Sequence, residues 1–346
     1  MTLLSRIRRS NFIIKLTNWE YWPFGILQAP VFPYWLWLSL KARSLVFFSA
    51  SNPGILMGGM FGESKFEVLE KVPLAFKPVS FLMKYPTSRE KVLTSMQENG
   101  LQYPIVCKPD LGERGWMVRR IYTDADLDQY LREIKLNFIV QACVDWPLEF
   151  GVFYVRYPEE PSGRVTSIVG KEMLHIVGDG SKSLEQLILE KDRAKLQWPT
   201  LRKKFEDRLS AIVPQGERIE LISIGNHCLG TMFLDCNHLI TSSLEASFDR
   251  ISKQIDGFYF GRFDLRVATL PDLEAGNVKI LELNGCGAEP AHIYQPGYSF
   301  FTAVRVLLRH WHDIYRISVV NHRRGVPYIT WKEARRIYND FRVLTR

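Results

Sequence analysis

The stretch Gly261–Pro290, GRFDLRVATLPDLEAGNVKILELNGCGAEP, decides how this chain is read. It holds two apolar runs that carry acids where a buried strand should carry none. Alternate residues of a strand share a face, so Arg262 lies with Asp264 and Glu282 with Asn284. If the runs pair through the Gly276-Asn277 turn, two carboxylates, an amide oxygen and a guanidinium converge. An all-oxygen set of this kind suits Mg²⁺, which keeps waters and takes substrate phosphates as further ligands. A guanidinium beside it would steady charge that develops in phosphoryl or acyl transfer. The competing reading, a solvated strand edge, fits poorly with the apolar neighbours and the Gly285 and Gly287 exit.

Working outward, Lys108 ends an apolar run just before the glycine-rich CKPDLGERG loop, where an ammonium beside backbone N–H groups can cradle phosphates. This is no P-loop, because G-x-x-x-x-G-K-[ST] is absent. Gln141, Ala142, Cys143 and Val144 form a run whose backbone could read an adenine edge, and Glu149 could accept from ribose hydroxyls.

In order along the chain, Lys108-Pro109, the glycine loop, Gln141 to Glu149 and Arg262-x-Asp264…Glu282-x-Asn284 resemble the ATP-grasp superfamily. That group includes D-alanine–D-alanine ligase, glutathione synthetase and cyanophycin synthetase. The resemblance spans about Arg89 to Gln295. It implies an α/β fold with two α+β lobes gripping ATP, preceded by an α/β N-terminal region and followed by C-terminal helices. The implied division is 1–86 for the N-terminal region, 87–297 for the ATP-grasp domain (87–147 small lobe, 148–297 C-terminal lobe) and 298–346 for a helical tail.

Residue by residue, the resemblance implies ATP phosphates at Lys108 and Lys171, under a loop formed by Gly112, Glu113, Arg114 and Gly115. Adenine falls at Gln141, Ala142, Cys143 and Val144, ribose at Glu149, and phosphate or substrate at Asn226. Mg²⁺, with Mn²⁺ as a substitute, falls at Asp264, Glu282 and Asn284, and the catalytic residues are Arg262 and Lys171. Glu289 and His292 are candidate substrate contacts. The reaction implied activates a carboxylate as an acyl phosphate for attack by an amine or thiol, on small-molecule or peptide substrates. A phosphotransferase would use the same residues, and an ATP-binding regulatory or membrane-surface protein without turnover is the alternative. The sequence departs from the pattern in Glu113-Arg114 between the loop glycines, in Lys171 where Arg is frequent, and in GCGAEPAHIYQP after the Asn.

Composition fits a folded globular protein. The 346 residues exceed one typical domain, and the net charge of +8 favours anionic partners. No arginine–aromatic pattern points to nucleic acid. The five cysteines (Cys107, Cys143, Cys228, Cys236, Cys286) lack C-x-x-C spacing, so neither a disulfide framework nor a zinc site follows, and a reducing, cytoplasmic setting is expected.

The N-terminus is unusual. Tyr21–Leu40 carries no charge, four of the nine tryptophans fall at positions 19–37, and no acid precedes Glu20. A span needs about 20 apolar residues, but Pro23, Pro30 and Pro33 break a straight helix. Residues 19–40 therefore read as an interfacial membrane segment, or as a packing element or homodimer contact. Farther on, Leu45–Ala50 reads as a buried strand, Gly58, Gly59 and Gly62 as a loop, and Glu63–Lys71 as a helix.

Overall fold

The computed structural model describes residues 10–112, 115–222, 225 and 230–344. Three short helices open it: α1 (Asn11–Thr17), α2 (Phe24–Gln28) and α3 (Phe32–Ala42). In place of the strand expected over Leu45–Ala50 stands a tight helical turn, Phe47–Ala50, and a second turn, Leu56–Gly59, follows it. An unbroken apolar run fits a buried strand or a buried turn equally well, and tertiary partners decide. Here Asn52 Nδ2 donates to Gly58 O and Phe260 O, and its Oδ1 accepts from Tyr259 and Phe260 N–H. One buried amide thus staples this segment to the start of a distant strand. The glycine pair that follows packs backbone on backbone. A Cβ on Gly59 would lie 2.6 Å from Gly285 Cα, and Gly58 and Gly59 carbonyls accept from Cys286 and Gly287 N–H.

Helix α4 (Lys65–Glu70), capped by Ser64, leads to the first sheet. That lobe contains β1 (Ser80–Met83), α5 (Arg89–Glu98), β2 (Ile105–Pro109), β3 (Arg119–Ile121), α6 (Asp124–Glu133) and β4 (Phe138–Ala142). Thr123 and Asp126 form a reciprocal capping box on α6. The strand order is β1-β4-β2-β3, antiparallel throughout. β1 lies before residue 87, so this lobe takes one strand from the region read as N-terminal. Val92, Met96, Leu127, Tyr130 and Phe138 fill its core.

The second sheet, β5 (Leu148–Val155), β6 (Arg164–Glu172), β9 (Met232–Asp235), β10 (Phe260–Val267) and β11 (Lys279–Asn284), runs in the order β11-β10-β5-β6-β9. A small insertion separates β6 from β9. It holds the ribbon β7 (His175–Val177) and β8 (Arg218–Glu220) around α7 (Leu184–Glu190), α8 (Asp192–Lys195) and α9 (Trp198–Lys204). α10 (Ser242–Ser252) covers one face of the sheet. Leu244, Phe248 and Ile251 pack there on Val152, Tyr154, Phe263 and Leu265, each buried side chain contributing about 1.5–3 kcal/mol. Between β10 and β11 the chain forms α11 (Leu270–Ala275), with Thr269 as cap, Pro271 in the first turn and Gly276 closing it at φ 76°.

The opposite face of the sheet is divided. At one end α12 (Phe300–Arg323) covers Phe153, Val155 and Phe260, with α13 (Trp331–Leu344) beyond it. At the other end the sheet carries charge.

Candidate functional site

The charged end is built by strand alternation on β10, where Arg262, Asp264 and Arg266 point the same way. Across β11, Arg262 faces Asn284 and Asp264 faces Glu282. Across β5, Asp264 faces Gly151 and Arg266 faces Glu149. The pairing expected from the sequence is therefore present, although a short helix rather than a two-residue turn joins the strands.

Asp264 is the centre. Its Oδ1 accepts from Arg262 Nε (3.1 Å) and lies 3.0 Å from Lys171 Nζ. Its Oδ2 accepts from Arg262 Nη2 and Asn284 Nδ2, both at 3.0 Å. Burial would raise this carboxyl, but Arg262 and Lys171 outweigh it and hold it well below the usual carboxylate range. For Lys171 burial works downward, and Asp264 and Glu149 reverse it, so the ammonium is held charged.

Glu149 was expected at a ribose. Here its Oε2 accepts from Arg266 Nε (3.1 Å) and Nη2 (3.0 Å), and its Oε1 from Lys171 (3.2 Å). Gly225 lies so close that a Cβ would come within 2.1 Å of Glu149 Oε1. Arg266 Nη1 also donates to Val144 O (3.0 Å) and Trp146 O (3.2 Å), which pins the end of the expected adenine segment to β10. Of that segment, Gln141 is buried in β4 and Ala142 ends the strand, with its N–H on Val79 O; Cys143 follows, half-buried. Sequence reading passed over Arg266, although its spacing of two from Asp264 was the available signal. Arg266→Met is expected to lower stability by about 3 kcal/mol, because it strips a buried carboxylate and two carbonyls of their donor. A shifted urea midpoint checks this.

The small lobe meets this face through Lys108. Its Nζ donates to Leu281 O of β11 (2.8 Å) and to Gln141 Oε1 (3.3 Å), and Gln141 Nε2 donates to Ser80 Oγ (3.1 Å). Burial pushes Lys108 down to about 8, with Glu282 only partly offsetting it.

A second residue missed in the sequence is Lys65, which ion-pairs with Glu282. Asp110, just after Lys108-Pro109, delivers it. Asp110 Oδ1 accepts from Ser64 Oγ (2.8 Å) and Phe66 N (2.9 Å), and its carbonyl accepts from Lys65 N (3.2 Å). The first turn of α4 is thus seated against β2, with Lys65 aimed at β11. Burial would raise the Glu282 carboxyl, and Lys65 and Lys108 bring it below its ordinary value.

Of the other expected residues, Gly112 and Gly115 flank the loop in left-handed conformations, at φ 150° and 73°. Glu113, Arg114 and Asn226 lie outside the described residues. Glu289 accepts from Gln28 Nε2 and Tyr294 OH, and its carbonyl accepts from Arg262 Nη1 (3.1 Å). His292 is buried, with Nδ1 2.7 Å from Ser167 Oγ, and burial depresses its basicity.

The cluster joins Lys65, Lys108, Lys171, Arg262 and Arg266 to Glu149, Asp264 and Glu282, five cations against three carboxylates, a net charge of +2. Among the described residues no three His, Cys, Asp or Glu side chains could hold a metal by themselves. The donors present, two facing carboxylates and the Asn284 amide oxygen, fit a hard cation that fills its remaining positions with water and phosphate.

Fold and site together define a mixed α/β protein with a buried, net-cationic seam between two antiparallel sheets. Solved structures similar to this chain include ATP-grasp enzymes. One is the D-alanine–D-alanine ligase of Bacillus anthracis, at 12% identity and TM-score 0.45, covering 78% of this chain and 72% of that one. Another is the VanG D-Ala:D-Ser ligase of Enterococcus faecalis, at 15% and 0.41, covering 74% and 62%. A third is the bifunctional glutathione synthetase of Pasteurella multocida, at 17% and 0.37, covering 70% of this chain and only 35% of that one. This chain thus spans about a third of the glutathione synthetase and less than two thirds of VanG. No protein-family model and no curated protein matches the sequence. At these similarities the functional reading rests on the side chains of the seam.

Proposed function

We propose that this protein is an ATP- and Mg²⁺-dependent ligase that activates a carboxylate as an acyl phosphate for attack by an amine or thiol. The observation that carries the reading is the part-buried +2 cluster around the facing Asp264–Glu282 pair, where the two sheets meet. MgATP, with roughly two net negative charges at neutral pH, complements it in sign and amount. Asp264, Glu282 and Asn284 would hold the metal, which supplies Lewis-acid polarisation of phosphate oxygens.

The chain's own residues do the rest. Lys108 of β2 and Lys65 of α4, which is seated on β2, reach toward β11 from the same side of the seam and bind phosphate oxygens. All four acceptor positions of Asp264 are engaged, so admitting a cation releases a donor. Lys171, a flexible point charge, is the donor that can move to a phosphate, whereas the forked Arg262 keeps its place. There Arg262 offsets charge on the carboxylate carbon's oxygens as the nucleophile adds. Positioning and fixed charge provide the rate. Carboxylate and amine substrates would enter beside the Glu289 loop, and Mn²⁺ would substitute for Mg²⁺.

The test is Mg²⁺-dependent phosphate release from ATP with pools of amino acids, short peptides and dicarboxylates. Release that requires a pool, with a new amide or thioester in the product, supports a ligase. A phosphorylated hydroxyl product turns the reading to a phosphotransferase, and Mg²⁺-dependent binding without release turns it to a regulatory ATP site. Absence of ATP binding overturns it.

Lys108 adds a second check. With its ammonium at about 8, half the free protein lacks that proton at pH 8, and phosphate contact favours the charged form. ATP binding at pH 8 is expected to take up about half a proton and to weaken up to about tenfold between pH 7 and 9. Calorimetry in buffers of different ionisation heat reads the uptake, and Lys108→Met removes it.

A further inference from the structure

Helix α3 is apolar on both sides. Inward, Leu38 is fully buried beside α12. Outward, Phe32, Leu36 and Leu40, spaced by four, are 58%, 40% and 70% exposed, and Pro33 and Trp37 (49%) fill the same stripe. A helix apolar all round belongs in a core or against a nonaqueous surface. Aromatic rings stack along it, Phe32 on Trp35 and Tyr34 on Trp37, with the Lys41 ammonium 4.4 Å above the Trp37 ring. Phe12 and Leu16, four apart on α1, are also exposed, and Lys15 lies between them.

Charge identifies the occupant. Residues 1–62 contain Arg6, Arg8, Arg9, Lys15, Lys41 and Arg43 and a single acid, Glu20. That acid is withdrawn from the surface, buried against Arg193 at 2.8 Å. Among the described residues this segment therefore presents apolar and aromatic side chains with Lys15, Lys41 and Arg43 and no exposed acid. A second copy docked by a two-fold axis would set this cation-bearing patch, which exposes no acid, against itself. An anionic bilayer surface takes the aromatic stripe into its interface and the cations onto its headgroups. Among the described residues no helix is long and apolar enough to cross a membrane, so the contact lies in the plane of the surface.

We propose that residues 10–45 dock this protein on the surface of an anionic phospholipid bilayer through the outward face of α3. The segment is tied to the candidate active site, because Gln28 of α2 donates to Glu289, whose carbonyl accepts from Arg262. Docking thus holds the Glu289 loop at the bilayer. The proposal stands apart from the ligase reading, since binding is measured without ATP.

The experiment is co-sedimentation of the full chain with phosphatidylcholine vesicles containing, or lacking, phosphatidylglycerol. Sedimentation velocity without lipid runs beside it. Binding to the anionic vesicles is expected, weakened about tenfold or more by high salt, by Lys15→Glu/Lys41→Glu and by Phe32→Glu/Leu40→Glu. All four residues are exposed, and unchanged circular dichroism and melting show the variants folded. Failure to sediment with anionic vesicles overturns the proposal, as does equal, salt-insensitive binding to neutral vesicles. A lipid-free dimer dispersed by Phe32→Glu/Leu40→Glu overturns it in favour of self-association.

Discussion

Asp264→Asn is expected to lower Mg²⁺-dependent phosphate release by at least about a thousandfold and to destabilise the free protein by about 3 kcal/mol. The rate loss follows from removing one of two carboxylates that can hold the metal at the seam. The stability loss follows from the partners left behind. Part-buried Arg262 and nearly buried Lys171 both donate to this carboxylate, and the exchange takes the cluster from +2 to +3 with nothing added to screen it. Removing one member of a buried ion pair leaves an uncompensated charge, which costs more than the pair contributes. The two effects separate experimentally. Single-turnover phosphate release under saturating Mg²⁺ reads the first, and urea unfolding without nucleotide reads the second. Wild-type release by a folded variant would show that Asp264 does not hold the metal. An unchanged urea midpoint would show that the cation cluster is better solvated than its burial indicates.

The second large effect is a loss of stability in mild acid that traces to one histidine. His310 of α12 lies buried between Phe153 and Phe260, with ring centroids 5.1 and 4.8 Å away. Burial drives its basicity from an ordinary 6.5 to about 3, against a hydrogen bond to the Ala288 backbone that works the other way. The folded value is the depressed one, so the unfolded chain binds the proton more readily. The stability contribution is complete above pH 6.5 and is lost as pH falls from 6.5 toward 3. Between pH 7 and 4.5 this amounts to about 3 kcal/mol. His310→Phe keeps an aromatic ring against Phe153 and Phe260 and cannot titrate, so its unfolding free energy should fall with acid by that much less than the wild type. Urea titrations at pH 7, 5.5 and 4.5 decide it. Parallel slopes for the two proteins would mean that His310 is already protonated in the fold or neutral in both states.

The reach of the sequence can be judged on these same residues. That Arg262 and Asp264 share a face, and Glu282 and Asn284 another, follows from the two-residue period of a strand, which no packing can alter. The order of capped helices and strands from 88 to 142 was legible for the same reason, since caps and apolar periods act within a few residues. Helix α11 was equally legible in Thr269, Pro271 and Gly276, signals that a reading of Gly276-Asn277 as a hairpin turn overrode. The Leu45–Ala50 turn was not, because burial on all sides erases periodicity and the choice of partner lay in Asn52 and residues 258–260. Nor could local pattern place Lys65 at Glu282, which lies 217 positions away and is reached through Asp110. Arg266 had the right spacing, but only the register of β10 on β5 sets it opposite Glu149 and turns Glu149 into an ion-pair partner. Strand period and capping are short-range and written in the chain, so the sequence by itself determined which side chains share a face. Which faces meet, and which cation answers which carboxylate, depends on contacts between residues far apart in the chain, and only the tertiary structure decided that.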